Sequence, residues 1–246
     1  MNRVIEQLLQ HRSIRKFKPG LVTDEQVRWI IGAAQAASTS SNIQAYSVIG
    51  VTDPERKQSL AEAAGNQKHV AQCPLFLVWC ADMYRLELAV NRHAPGELHQ
   101  NTETFLLASV DAALAAQNAA VAAESLGLGI VYIGGIRNNP DRVAELLGLP
   151  RLVYPVFGMC VGIPDHSPDI RPRLPLDAVY HQETYDAAGQ SEAICQYDET
   201  MKAYYSARTG GSRLTEWSKE MASRMEKDKL REHMYAHLEK QGFRLR

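Results

Sequence analysis

The sequence predicts a central sheet sandwiched between helices, in the α+β or α/β class. Three observations carry this. Four short runs are apolar without strict alternation, as strands covered on both faces are: YSVIGVT at 46–52, LFLVWCA at 75–81, GIVYI at 129–133 and VYPVFGMCVG at 153–162. Helical stretches outnumber these runs and separate them. No strand is followed by G-x-G-x-x-G, so a Rossmann dinucleotide site is not signalled, and any nucleotide must be held by another device.

Taken in order, residues 3–10 read as a short helix with Val4, Ile5, Leu8 and Leu9 on one side. Thr23 and Gln26 have the spacing of a capping box, opening a helix that runs to about Ala37. A hydroxyl-rich run, 38–42, precedes the first strand, and Asp53-Pro54 starts another helix. Gly65 to His69 reads as a loop between helices. A long alanine-rich helix spans roughly Leu98 to Leu126 and stops at Gly127. Asp111, Gln117, Asn118 and Glu124 interrupt it, which points to a buried helix of a soluble chain over a membrane span. The third strand ends in Gly134-Gly135, and a helix at Pro140–Leu147 is closed by Gly148 and Pro150. After the fourth strand comes a proline-rich segment, then a charged helical region from about Ser191. The Arg208–Arg213 stretch, with its paired glycines, breaks that region in two. We therefore expect a core at 1–190 and a helical extension at 191–246, within one structural domain.

Composition excludes more than it selects. With 27 basic and 28 acidic residues the net charge is −1, which disfavours a polyanionic partner such as nucleic acid. Of the four cysteines none forms a C-x-x-C pair, and Cys73, Cys80 and Cys160 sit in apolar runs as buried small hydrophobes do. The first twelve residues contain no secretory h-region, so the expected location is cytoplasmic. There is no G-x-S-x-G, no H-E-x-x-H and no metal-ligand spacing of histidines, so neither a hydrolytic set nor a metal site is indicated.

Five short segments are able to carry chemistry. His11-Arg12-Ser13-Ile14-Arg15 places two guanidinium groups, an imidazole and a hydroxyl at a helix end, a donor set suited to phosphate; a solvated basic turn is the alternative. Arg171-Pro172-Arg173 is a second cluster, stiffened by proline, and a shared anion would justify both. Thr39 and Ser41 lie in a polar loop. Gln67 offers donor and acceptor together, as a heterocycle edge requires. Gly134 and Gly135 permit close backbone approach to a flat ligand. Each of these last three is, alone, also an ordinary loop.

The segments HRSIRKF, AASTSSNIQAYS, GNQKHV, DAALAAQNAAVAAESLGLG, VYIGGIRNN and RPRLP occur in that order, and together they resemble the nitroreductase family. The likeness is to its oxygen-insensitive NADPH nitroreductase and FMN reductase branch, and it extends from His11 to the C-terminal QGF. It implies an α+β fold with a mainly antiparallel sheet flanked by helices, an intertwined homodimer, and tightly bound FMN at the subunit interface. It implies that His11, Arg12, Ser13, Arg15, Arg171 and Arg173 hold FMN, with Thr39, Ser41, Gln67, Gly134 and Gly135 along the flavin ring. Arg171 stands where relatives often carry lysine, and either cation serves a phosphate. Arg208 and Arg213 match arginines that bind the 2′-phosphate of NADPH. Arg231 resembles an arginine at the substrate mouth. Ser41 and Asn42 would meet the substrate, Asn42 standing where some relatives have an aromatic.

The activity implied is a ping-pong, two-electron reduction of nitroaromatics, quinones or similar small acceptors by NADPH. Flavin N5 carries the hydride, no side chain is catalytic, and Arg15 tunes the flavin. The alternatives are an NADPH:FMN reductase that supplies reduced flavin to a partner monooxygenase and, more remotely, a non-catalytic flavin-binding protein.

Overall fold

The computed structural model describes residues 2–245. Its sheet is four-stranded, in the order β1-β2-β4-β3: β1 (Tyr46–Val51), β2 (Leu75–Asp82), β3 (Gly129–Ile133) and β4 (Val153–Gly162). Every neighbouring pair is antiparallel, which selects α+β over α/β.

β2 shows why these antiparallel strands read as unbroken apolar runs. All eight of its residues are buried. Side chains alternate across a strand, so Leu75, Leu77 and Trp79 enter one core with Ile30 and Ala34 of α2 (Asp24–Gln35) and the alanines of α6 (Thr102–Ser125). Phe76, Val78 and Cys80 enter the other, with Leu60 of α3 (Pro54–Ala63), Val70 of α4 (Lys68–Gln72) and Val143 of α7 (Pro140–Leu147). Helices cover both faces, and no solvent-facing polar set is left to produce alternation. Cys73, Cys80 and Cys160 are buried and unpaired, as their apolar settings predict.

α6 is long and apolar enough to cross a membrane by length and composition. It is instead the packed helix of the first core. Ala112, Ala115, Ala116, Ala119, Ala120 and Ala123 are buried, and Asn118 Nδ2 donates to the α2 carbonyl of Ala33 at 3.1 Å. It starts at Thr102, later than the apolar pattern predicts. Asn101 and Thr104 form a reciprocal capping box that ends the preceding loop.

Other departures are local. α1 (Arg3–Leu9) forms, but none of its residues is buried, so its apolar side stands open. α4 occupies the second half of the expected 65–69 loop, and α5 (Tyr84–Asn91) was not anticipated; both are too short for hydrophobic periodicity to announce. The C-terminal charged region forms three helices in place of two: α8 (Gln190–Arg208), α9 (Trp217–Arg224) and α10 (His233–Lys240).

The chain packs as two compact units, residues 1–168 with 232–246, and residues 169–231. The first contains the sheet and both large cores. The second has a small core of Tyr197, Met201 and Tyr205, with Leu174, Tyr204 and Trp217 against it.

Candidate functional site

Residues 11–15 run from the end of α1 along the sheet. The amide of Ile14 donates to the β3 carbonyl of Ile130 at 2.8 Å, and Phe17 bridges Pro164. Ile14 is buried, and it needs Gly129 beneath it: a Cβ there would stand 2.6 Å from Ile14 Cγ1. This anchor fixes the polar residues on either side. His11, Arg12 and Ser13 are half-buried and Arg15 is exposed. His11 Nδ1 lies 2.6 Å from Oε1 of Glu124 in α6. Arg12 donates to Ser167 Oγ at 2.6 Å, to the Gln10 carbonyl at 3.2 Å and to Gln10 Oε1 at 2.9 Å.

Arg15 stands beside α4. Burial, and then the Arg15 charge, lower the pKa of His69 from its ordinary value and favour the neutral ring. His69 Nε2 is buried and has no hydrogen-bond partner among the described residues. Two residues earlier, Gln67 Nε2 donates to the Ala64 carbonyl at 3.0 Å. The amide lies directly over Gly135, where a Cβ would come within 2.1 Å of Gln67 Nε2 and 2.5 Å of Ala64 O. The structure thus brings Gln67 and Gly135 together beside α4, and the Arg15 charge reaches His69 of that helix. Gly134 is less constrained, its nearest neighbour being Arg137 at 3.5 Å from a Cβ position.

Thr39, Ser41 and Asn42 form a separate cluster. Ser41, Asn42 and Gln44 all adopt positive φ (48°, 58° and 55°), a strained conformation for side chains other than glycine. Buried Asp111 of α6 holds the loop at both ends, accepting from the amides of Ser40 at 3.1 Å and Ala45 at 3.0 Å. Thr39 Oγ1 accepts from the Gln44 amide at 3.3 Å, and Arg85 donates to the carbonyls of Gln44 and Tyr46. Among the described residues, none of these hydrogen bonds reaches His11 or Gln67.

In the second unit, Arg171 and Arg173 are exposed and flank Pro172, whose carbonyl accepts from Tyr197 Oη at 2.8 Å. Burial raises the Tyr197 pKa and the two arginine charges oppose that rise, which puts both guanidinium groups within electrostatic reach of the ring. Arg208 donates to Tyr204 Oη at 3.3 Å. Arg213 lies over the Tyr205 ring, 4.4 Å from its centre, and meets Glu220 at 2.8 Å. Gly210 and Gly211 both take positive φ in the turn that joins them. Arg231 is exposed at the end of this unit.

Glu124, Asp111, Tyr197 and Glu220 are the partners that sequence reasoning missed. For the first two a signal existed: they are isolated acids in an apolar, alanine-rich helix, where an unpartnered carboxylate is disfavoured. A cavity of about 830 Å³, lined by residues including Gln100, Arg151 and Phe243, contains none of the candidate residues and is not this site.

Comparison with known proteins agrees along the whole chain. The nitroreductase family model matches residues 8–163, and that of the family's C-terminal domain matches residues 171–246. An FMN reductase (NADPH) of Bacillus subtilis is 46% identical over 247 residues, 99% of either chain. An oxygen-insensitive NADPH nitroreductase of Salmonella typhimurium is 43% identical over 249 residues, covering both chains fully. Among solved structures, the NADPH:FMN oxidoreductase from Vibrio harveyi complexed with NAD+ superposes with a TM-score of 0.90 at 43% identity, each chain covered completely.

Proposed function

The chain belongs to the nitroreductase family, and from that membership we propose how its residues serve an NADPH-dependent FMN oxidoreductase. It is an oxidoreductase with FMN as cofactor and NADPH as electron donor, like the relatives named above.

The observation that carries the site assignment is the anchored segment His11–Arg15. Pinned by Ile14, it offers an imidazole, a hydroxyl and two guanidinium groups, a donor set that fits the phosphate and hydroxyls of FMN. Nearby, Gln67 has a side-chain amide for a heterocycle edge, and buried His69 Nε2 lacks a partner. FMN, when bound, supplies two-electron hydride chemistry. The side chains bind and orient it, and the Arg15 charge favours its reduced, more negative form. Thr39 and Ser41 are assigned to the same cofactor, together with Gly134, Gly135, Arg171 and Arg173, and this rests on the resemblance of their motifs. Arg208 and Arg213 are assigned to the NADPH 2′-phosphate, and Ser41, Asn42 and Arg231 to the acceptor.

The proposal includes a homodimer. Its support is the apolar surface that the single chain leaves open: Leu106, Val110 and Leu114 on one side of α6, and Val4, Ile5, Leu8 and Leu9 on α1. It includes a cytoplasmic location, which the four free cysteines support. Acceptors are small oxidants. Free FMN and nitroaromatics are both candidates, because relatives carry both names; relative kcat/KM for the two decides between them.

The test is an anaerobic absorbance titration of the purified protein with NADPH, then NADH. A flavin spectrum that bleaches far more readily with NADPH supports the cofactor and the arginine assignment together. Equal bleaching removes the 2′-phosphate assignment alone. A colourless protein that takes up no added FMN overturns the whole reading.

A further inference from the structure

His11 does not stand alone in its segment. Its Nδ1 is 2.6 Å from Glu124 Oε1, and the Glu124 side chain is only 15% exposed. Glu124 lies in the last turn of α6, a 24-residue helix with no basic residue in that turn. The negative end of the helix dipole disfavours a carboxylate there. The acid therefore does not serve the helix that carries it, and its partner is His11. The junction around the pair is also tied down: Gln7 Nε2 donates to the Val121 carbonyl at 2.6 Å, and the His11 amide donates to the Leu8 carbonyl at 3.3 Å.

We infer that Glu124 is the positioning residue for His11 in FMN binding, an inference that rests on the reading of His11 as an FMN ligand. An ionised carboxylate only accepts hydrogen bonds, so Nδ1 carries the proton that joins the two side chains. This sets the ring plane and leaves Nε2 as the nitrogen for the ligand. In the neutral ring Nε2 accepts from a hydroxyl; in the cation it donates to a phosphate oxygen. The side chain keeps 29% of its surface exposed, so its own chain does not enclose the imidazole. Metal-bound histidines use the same device, in which a carboxylate on one nitrogen fixes the tautomer and aims the other. Glu124 touches no ligand in this scheme and acts through His11.

The experiment is a double-mutant cycle on FMN affinity, read from the quenching of flavin fluorescence as apoprotein is titrated with FMN. Glu124→Gln should raise the Kd for FMN roughly tenfold. In a His11→Ala background the same substitution should change it less than about twofold, because the residue it acts through is gone. No effect of Glu124→Gln in the protein that keeps His11, or an equal effect in both backgrounds, overturns the inference. A His11→Ala protein with unchanged FMN affinity overturns the ligand reading beneath it. Nitrogen-15 NMR of the unsubstituted protein gives a second check that needs no variant. A protonated Nδ1 at His11 supports the pairing, and a bare Nδ1 refutes it.

Discussion

The His11–Glu124 pair of the first unit and the Arg213–Glu220 pair of the second share a chemistry and differ in construction. Each joins a carboxylate to a side chain assigned to a ligand phosphate, at 2.6 Å and 2.8 Å. His11 and Glu124 are 29% and 15% exposed, and the segment that follows α1 is pinned to β3. Arg213 and Glu220 are 49% and 26% exposed, and Arg213 follows a turn with two glycines at positive φ. A half-buried pair in a fixed segment suits a ligand that stays. A pair whose cation is exposed, beside a glycine turn, suits one that must leave, because water and a phosphate can replace the carboxylate at small net change. Under the proposed assignments the first pair would serve a resident FMN and the second an exchanging NADPH.

Disturbing the first unit should have the larger effects. Asp111→Asn should destabilise most, by about 3 kcal/mol, because it removes the buried carboxylate that accepts two backbone amides of the strained 39–45 loop. Urea unfolding of the apoprotein, with an unchanged slope and a lower midpoint, checks this; a midpoint like the parent's would mean that the loop holds itself. Next, Arg15→Ala should leave the fold intact and raise the Kd for FMN on the order of 100-fold, through loss of a charge-assisted contact. Unchanged flavin content after dialysis would remove Arg15 from the site.

The second unit should respond more gently and more selectively. Arg213→Ala should raise KM for NADPH roughly tenfold and leave KM for NADH unchanged, since NADH has no 2′-phosphate. An equal rise for both would show that the loop acts through its shape. Glu220→Gln, the smallest effect, should lower KM for NADPH by less than about fivefold by freeing Arg213 from its carboxylate. Arg213's hydrogen bond holds the Glu220 carboxyl below the usual carboxylate range. The acid therefore stays ionised through neutrality, and the effect of the substitution should be flat between about pH 7 and pH 8, above the second ionisation of the 2′-phosphate near 6. A steep pH dependence would point to another group.

Legibility in the sequence followed the strength of local signals. β3 and α7 match their expected limits to the residue, because Gly127, Gly134, Pro140 and Gly148 mark ends that other residues tolerate poorly. α4 was hidden: one helical turn is too short to display a period, and its Gly65-Asn66 approach resembles any loop. The proposed site divided in the same way. His11, Arg12, Ser13 and Arg15 were readable because their chemistry is concentrated in five residues. Their partners were not. Glu124 lies 113 residues from His11, and Asp111 lies 71 and 66 residues from the amides it holds.

The sequence by itself determined the strands, the main helices and the residues able to bind an anion, since backbone preference and side-chain chemistry are local properties. Only the tertiary structure decided the strand order, the strand register and the pairing of each cation with its carboxylate. Those depend on which distant segments bury each other's apolar faces. In particular, the carboxylates of α6 reach His11 and the 39–45 loop because alanines let that helix pack closely against the sheet and α2, and no local pattern records that approach.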